Sequence, residues 1–179
     1  MIETLELVPA LTRPDLLAPP VLAALRGWEG ERPVERIAVA EIDPDVADTA
    51  AFTERYGVPL EESANCVVIA GRRAGEQRQL ACVVLATTRA DVNGVGRRRL
   101  DVRKASFMPM DEAVAATTME YGGITPIGLP PDWTVLVDAA VAAADSVVIG
   151  SGLRRSKLRL PGDLLAALPG IEVVDGLGR

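Results

Sequence analysis

The sequence predicts an α+β protein in which short helices flank one curved β-sheet. Short apolar runs rich in β-branched residues are mixed with short helical segments along the whole chain, rather than grouped in one half. The chain has 179 residues, which is the size of one domain, and 49% of them are apolar, enough for a sizeable core.

The first 32 residues are predicted to form an N-terminal helical extension, and residues 33–179 to form the domain itself. Prolines at positions 9, 14, 19 and 20 interrupt the extension, so only residues 21–26 are expected to be helical, with the helix ending at Gly27. Residues 29–33 are polar and are expected to be a linker between the two parts.

The first half of the domain is predicted from alternation, capping residues and apolar runs. Asp48 and Thr49 can cap a helix that runs to Tyr56 and stops at Gly57. Two long β-branched runs, residues 66–70 and 80–87, predict a hairpin around a turn at residues 71–79. The other expected elements are a strand over 37–42, a turn at 43–45 and a short helix or turn over 59–63.

The second half begins with a turn at Asn93-Gly94 and a helix over residues 111–119, followed by a glycine- and proline-rich loop over 121–132. Asp138 is expected to cap a helix that begins at Ala139. The remaining elements are strands over 134–137, 146–149 and 157–160, a helix over 161–168 and a last strand over 171–174.

The composition excludes several kinds of chemistry. The chain has no histidine, which excludes Ser-His-Asp and Cys-His catalysis, and its two cysteines argue against a zinc site. Cys66 and Cys82 lie in apolar runs and are expected to be buried free thiols of a reducing compartment. No apolar run reaches the roughly 18 residues of a membrane span, and the N-terminus lacks signal-peptide features, so a cytoplasmic location is expected.

The charge is unevenly distributed along the chain. The net charge is −6, yet residues 71–104 hold nine basic and three acidic residues, and a second basic cluster occupies residues 154–159. Local basic clusters can contact phosphates even in an acidic protein. A solvated face paired with the protein's own carboxylates explains the same pattern, so both interpretations stay open.

A glycine-rich loop is the most specific feature of the sequence. Residues 122–130 read GGITPIGLP, and they precede a strand ending in Val137-Asp138 and a turn at Gly150-Ser151-Gly152. Such a loop alone is a weak signal, and this one lacks the spacing of a P-loop or dinucleotide fingerprint. The order and spacing of the whole set, over roughly residues 33–175, resembles the YbaK/EbsC/ProX family and the related editing domain inserted in bacterial prolyl-tRNA synthetases.

The resemblance implies a compact, strongly curved mixed sheet with a small pocket between the sheet and the glycine-rich loop. It implies a trans-acting deacylase that releases a wrong amino acid from the 3′-terminal adenosine of mischarged tRNA, in the context of an aminoacyl-tRNA synthetase and without a cofactor. Such correction is needed because a synthetase rejects a slightly smaller amino acid by no more than about 10²-fold. The catalytic candidates are Asn65, Gly123, Thr125 and Ser151, and the substrate-binding candidates are Gly122, Ile124, Pro126, Gly128, Gly150, Gly152 and Lys157.

Each candidate has a physical rationale. The glycines let backbone N–H groups approach a ligand and stabilise an oxyanion, while Pro126 stiffens the loop. Ser151 offers a hydroxyl at the pocket mouth, or Gly150 and Gly152 only form a tight turn around it. Thr125 leaves the same two alternatives open.

One position departs from the pattern that the resemblance implies. In the family the first core strand begins with a lysine that binds the substrate, and Asn65 occupies that position here. An amide donates and accepts hydrogen bonds, but it cannot neutralise a negative charge as an ammonium can. Lys157 or Lys104 is then the alternative cation. Two hypotheses follow: a deacylase that works without the family lysine, and a catalytically inactive module that binds a small ligand or a protein.

Overall fold

The computed structural model describes residues 2–29 and 33–179. Within these residues the strands form two sheets, one of four strands and one of five. The strands are β1 (Val8–Pro9), β2 (Ala38–Glu41), β3 (Ala64–Arg73), β4 (Glu76–Leu85), β5 (Ala105–Phe107), β6 (Thr134–Asp138), β7 (Val147–Gly150), β8 (Ser156–Leu160) and β9 (Ile171–Val174).

The four-stranded sheet has the order β1-β2-β8-β7 and is antiparallel throughout. Lys157 lies in β8, opposite Ala40 of β2 on one side and Gly150 of β7 on the other. Its neighbours Ser156 and Leu158 are buried on the other face of the strand. The alternation of β8 therefore sets the direction of the Lys157 side chain.

The five-stranded sheet has the order β5-β3-β4-β6-β9 and is mixed. β3 and β4 form a long antiparallel hairpin, whereas β4, β6 and β9 run parallel to one another. The α+β class with a mixed sheet is therefore confirmed. The strands divide into two sheets rather than one, and a parallel bridge between Ser63 and Val148 joins the sheets.

The predicted hairpin forms with longer strands and a shorter turn than expected. Its strands meet around Ala74 and Gly75, both with positive φ, instead of a loop over residues 71–79. The polar ends of the strands, including Arg72 and Gln77, continue the ladder beyond the apolar runs. An apolar run marks only the buried part of a strand, so it ends before the hydrogen bonding does.

The helices of the described residues are short. The α-helices are α1 (Pro19–Arg26), α2 (Thr49–Tyr56), α3 (Arg97–Leu100), α4 (Met110–Thr117), α5 (Ala139–Ala142) and α6 (Gly162–Ala166). A π-helix spans Val92–Gly96, and 3₁₀ turns span Ala10–Thr12, Pro14–Leu16, Val34–Arg36, Pro44–Val46 and Leu60–Glu62.

Two predicted helix ends are confirmed in detail. Gly57 adopts φ +66° at the end of α2, in the left-handed region that favours glycine. The Asp138 carboxylate accepts a 2.9 Å hydrogen bond from the N–H of Ala140 and so caps α5. β1, β5 and α3 were not predicted, because each is too short to show a periodic pattern.

The N-terminal segment packs into the main core of the protein. Leu16, Leu17, Val21 and Leu25 are all buried in the largest apolar cluster, together with residues from both sheets. The prediction of a helix over residues 21–26 is confirmed by α1. The predicted linker at 29–33 falls mostly on residues 30–32, which lie outside the described residues.

In the part of the chain that the structure describes, no helix has both the length and the apolar character required to cross a membrane.

Candidate active site

A cavity of about 330 Å³ opens where the two sheets meet. Its wall combines the first half of β3 with the start of α2, the end of β5, the glycine-rich loop, and the facing residues of β7 and β8. The lining residues that bear on its chemistry are Asp48, Thr49, Asn65, Cys66, Tyr121, Gly122, Ile124, Gly150 and Lys157.

Asn65 and Lys157 place polar groups in the same cavity from different sheets. The Thr49 hydroxyl donates a 2.8 Å hydrogen bond to Oδ1 of Asn65. The Lys157 ammonium donates a 2.8 Å hydrogen bond to the carbonyl of Ala47, and its Nζ lies 5.5 Å from the centre of the Phe52 ring. The amide on β3 and the lysine on β8 thus reach the same space.

The environment of Lys157 lowers its pKa to about 8. Burial is the main cause, because it disfavours the charged form of the amine. The carboxylate of Asp48 opposes this effect, and the guanidinium of Arg154 adds to it. Lys157 is therefore charged at neutral pH and titrates only a little above it.

The glycine-rich loop reaches the cavity through Gly122 and Ile124. Among the described residues no hydrogen bond uses the N–H of either residue, which leaves both donors available to a ligand. Gly123 differs, because its N–H donates to the Glu120 carbonyl at 2.9 Å and its own carbonyl accepts from Gly152 at 2.7 Å. The loop therefore presents donors from the neighbours of Gly123 and uses Gly123 itself for attachment.

Glycine is required where this loop lies on the turn after β7. A Cβ on Gly123 would lie 2.7 Å from the backbone of Leu153, and a Cβ on Gly150 would lie 2.8 Å from the Ile124 carbonyl. Both distances are shorter than real Cβ contacts. The two backbones therefore touch directly, and this contact sets the position of Gly122 and Ile124 in the cavity.

Ser151 does not lie at the mouth of the cavity as expected. It is fully buried, and its hydroxyl lies 2.7 Å from the hydroxyl of Ser156, which donates to the Leu16 carbonyl at 2.7 Å. The hydroxyl of Ser151 also accepts from the N–H of Leu153 at 3.3 Å. It thus ties the N-terminal segment to the turn after β7.

Five other predicted site residues also lie outside the cavity lining, namely Gly123, described above, and Thr125, Pro126, Gly128 and Gly152. Thr125 and Pro126 are buried, and Oγ1 of Thr125 has no hydrogen-bond partner among the described residues. Gly128, with φ +81°, lies against the backbone of Pro20, and Gly152, with φ +85°, lies against Val21. The latter two glycines therefore contact α1 rather than a ligand.

Cys82 is buried as predicted, whereas Cys66 is only half-buried because it lines the cavity. Burial raises the pKa of the Cys66 thiol, and it raises the pKa of Cys82 to about 12. Cys66 lines the cavity, but as a protonated thiol it is not a nucleophile at neutral pH. In the described part of the chain, no group of three or more Cys, Asp or Glu side chains is arranged to hold a metal ion.

The basic clusters divide between the cavity and the hairpin. Lys157 lines the cavity, and the guanidinium of Arg154 lies beside Gly122 and donates to the Tyr121 carbonyl at 3.1 Å. The arginines at 97–99 belong to α3 and do not line the cavity. Arg99 pairs with Glu172, and Arg73 pairs with Asp101, as expected of a solvated face.

Several lining residues were not singled out from the sequence. Thr49 was expected only to cap α2, yet its hydroxyl faces Asn65. Short or irregular segments, which carry no periodic signal, contain three further lining residues: Phe107, Met108 and Tyr121. The signal that could have identified them is their aromatic or apolar character, because the chain has so few aromatic residues.

The comparisons with known proteins agree on the fold and the family. The family model for the aminoacyl-tRNA editing domain matches residues 43–168. A candidate trans-editing enzyme for prolyl-tRNA synthetase is similar, with a TM-score of 0.70, 20% identity, and coverage of 89% of this chain and 97% of the other.

Two further structures share the fold. A chain from a study of linear-epitope grafting onto scaffold proteins by computational design has a TM-score of 0.71 and 21% identity, and covers 88% of this chain and 95% of its own. A hypothetical protein has a TM-score of 0.68 and 20% identity, covering 79% and 90%. The family model spans well over half of the chain and includes the cavity residues from Asp48 to Lys157. The chain therefore belongs to the aminoacyl-tRNA editing domain family, as the resemblance of its glycine-rich loop and following strands predicted.

Proposed function

We propose that the protein is a trans-acting aminoacyl-tRNA deacylase that removes a wrongly attached amino acid from the 3′-terminal adenosine of tRNA. The observation that carries this proposal is the cavity, which Lys157, Asn65, Gly122 and Ile124 all line, with the N–H groups of the two loop residues unused by any hydrogen bond among the described residues. Its volume of about 330 Å³ is at the small end of small-molecule sites, which span roughly 300–1,000 Å³. Its small size favours a small amino acid over a large one.

The reaction requires no protein nucleophile. A water oxygen forms a bond to the ester carbonyl carbon, the bond from that carbon to the ribose oxygen breaks, and a proton of the same water passes to the ribose oxygen. Negative charge develops on the carbonyl oxygen during the attack, and donors fixed before the reaction stabilise it most effectively. The N–H groups of Gly122 and Ile124 and the ammonium of Lys157 are the available donors.

Lys157 takes the part of the family lysine in this proposal. It reaches the cavity from β8, whereas Asn65 lies in β3. The amide of Asn65 then serves as a neutral donor, since its oxygen already accepts a hydrogen bond from Thr49. A cation is thus retained in the cavity although its position in the sequence has changed.

The test is deacylation of a panel of mischarged tRNAs carrying Ala, Ser or Cys, including tRNA-Pro, by the purified protein. Gly123→Val is the disabling variant, because the added side chain would meet the Leu153 backbone and displace the loop. Gly27→Val is the matched control, since a Cβ there meets only the Ala23 carbonyl at 3.4 Å. We expect the parent and Gly27→Val to be active and Gly123→Val to lose at least tenfold in rate while remaining folded by circular dichroism.

A catalytically inactive binding module is the second candidate. Asn65 in place of the lysine favours it, as does the use of the Gly123 N–H inside the protein. Inactivity of the parent with activity of Asn65→Lys would show a pocket that kept its shape and lost its chemistry. Inactivity of both proteins on the whole panel would overturn the deacylase proposal.

A further inference from the structure

The aromatic residues of this protein are unevenly exposed. The sequence has six of them, of which Phe52 and Trp133 are buried and Trp28 and Tyr56 are half-buried. The remaining two, Phe107 and Tyr121, are 60% and 55% exposed, and both line the candidate active site. The aromatic surface that the protein leaves open to solvent is therefore concentrated at the cavity.

The backbones that carry these two rings are well anchored. Phe107 is the last residue of β5 and lies opposite Ile69 of β3 in the sheet register. Tyr121 follows α4, and its carbonyl accepts a 3.1 Å hydrogen bond from Arg154. The two rings come from separate segments, and both border the cavity. Because their backbones are fixed, less conformational entropy is lost when a flat ligand binds between or against them.

Unpaired cations lie directly along the strand that ends in Phe107. Arg103 and Lys104 precede β5, both are exposed, and neither forms an ion pair within the described residues. At about 3.3 Å per residue, Lys104 is roughly 10 Å from Phe107 along the strand. A short, flexible and negatively charged ligand that contacts Phe107 can follow the chain back over this distance towards these cations.

We propose that Phe107 and Tyr121 stack the unpaired nucleotides next to the acylated 3′-terminal adenosine, while Lys104 and Arg103 bind their phosphates. The inference rests on the proposed deacylase function and adds a binding site at the mouth of the cavity for the single-stranded end of the tRNA. Stacking on aromatic side chains tolerates any base, and it contributes about 1–3 kcal/mol per base, or roughly 5- to 150-fold in affinity. The combination of exposed rings and free cations favours nucleic acid over an apolar peptide.

The experiment measures binding of a short, uncharged RNA ending in CCA, so it needs no catalysis. Phe107→Trp introduces a fluorophore at the mouth, and we expect its emission to be quenched when the RNA binds. Phe107→Leu and Tyr121→Leu should each weaken binding at least fivefold, whereas Phe107→Tyr should retain it. Lys104→Gln should lower the salt dependence of binding, with a slope of log affinity against log salt reduced by about 1.

Two control variants remove exposed apolar surface or an exposed cation away from the mouth. Val173→Ala removes exposed apolar surface from β9, and Arg36→Gln removes an exposed cation from the segment before β2. Neither should change RNA binding by more than twofold. In deacylation, the aromatic variants should raise KM and leave kcat nearly unchanged, since stacking acts on the bound nucleotides and not on the ester.

The outcomes separate this inference from the proposed function. RNA binding that depends on both rings, in a protein without deacylase activity, supports the inference and overturns the function. Deacylation with RNA affinity unchanged by both leucine variants overturns the inference and supports the function. If the leucine variants leave RNA binding intact but abolish self-association or capture of another protein, the patch is a protein-docking surface and the inference is wrong.

Discussion

Oδ1 of Asn65 lies 2.8 Å from the hydroxyl oxygen of Thr49, so the amide on β3 is fixed to the first residue of α2. The NH₂ group of the same amide has no acceptor among the described residues and is available to a ligand in the cavity. Asn65 therefore presents a neutral donor at the position where the family resemblance expects a cation. Among the lining residues, the positive charge comes from Lys157 instead.

If Lys157 supplies that charge, a lysine introduced at residue 65 should compensate for the loss of Lys157. We expect Lys157→Met to lower kcat/KM at least tenfold, and Asn65→Lys to recover much of the loss in the Lys157→Met background. In the parent background, Asn65→Lys should gain little, because two ammonium groups in one small cavity repel each other. The four proteins form a double-mutant cycle in kcat/KM, with Arg36→Met as the control for loss of an exposed cation.

Full activity of Lys157→Met would contradict the assignment. A second test compares the activity of the parent and of Lys157→Arg as a function of pH. The guanidinium of the variant stays charged, whereas the parent lysine titrates near pH 8. The ratio of parent to Lys157→Arg activity should therefore fall as the pH rises through 8. A constant ratio would show that the charge at residue 157 does not contribute to the rate.

The lowered pKa of Lys157 also predicts how stability changes with pH. The usual pKa of lysine is 10.5 and the folded-state value is about 8, so between these values the unfolded chain binds more protons than the folded one. The free energy of unfolding therefore rises with pH in this window, by at most about 3 kcal/mol, and the penalty of the buried charge is fully present below pH 8.

Denaturant titrations at pH 7, 8, 9 and 10 measure this effect as the difference between the parent and Lys157→Met. The difference is needed because Cys66 and Cys82 have raised pKa values and make stability fall above pH 9 in both proteins. We expect the parent to gain stability relative to the variant from pH 8 to 10. A difference that is independent of pH would show that Lys157 is not desolvated.

Removal of the Thr125 hydroxyl and removal of the Ser151 hydroxyl should have different effects on stability. Thr125 is buried with an unpaired Oγ1, so Thr125→Val should leave stability unchanged or raise it by about 1 kcal/mol, with deacylation unaffected. Ser151 bonds with Ser156 and Leu153, so Ser151→Ala should cost about 1–3 kcal/mol. Thermal and denaturant unfolding measure both effects. A large loss of kcat in Thr125→Val without a loss of stability would instead indicate a catalytic hydroxyl.

Gly128 allows a test of the contact between the glycine-rich loop and α1. Its φ is +81°, and a Cβ there would lie 2.5 Å from the Pro20 carbonyl, whereas Gly75 has φ +85° with nothing within 4 Å. Gly75→Ala should therefore show only the backbone cost of about 1–2 kcal/mol. Gly128→Ala should cost clearly more in the free energy of unfolding and should also reduce deacylation. Equal costs would mean that the loop separates from α1 without consequence.

The sequence predicted the larger strands because their β-branched runs are long enough to show a strand pattern. It predicted the end of α2 from Gly57 and the start of α5 from Asp138. It did not predict that the strands form two sheets, because strand order depends on contacts between distant residues. For the same reason the sequence left open whether Ser151 faces the pocket or only belongs to a tight turn. Its position between two glycines is local information, whereas its direction is set by Ser156 and by Leu16, which is 140 residues away from Ser156. The structure places Lys157, a substrate-binding candidate from the sequence, in the cavity lining.

The hydrogen bond from Ser156 to Leu16 also determines when the N-terminal segment can complete its packing during synthesis in the cell. At about 5–20 residues per second, the ribosome needs on the order of 10 s to synthesise the 140 residues between these two partners. During that interval Leu16, Leu17 and Val21 have been made, but β8 and the turn before it, which cover them, have not. Nascent chains of this protein should therefore expose the apolar stretch around Leu16 until β8 has been synthesised, which makes them natural clients of chaperones that act at the ribosome.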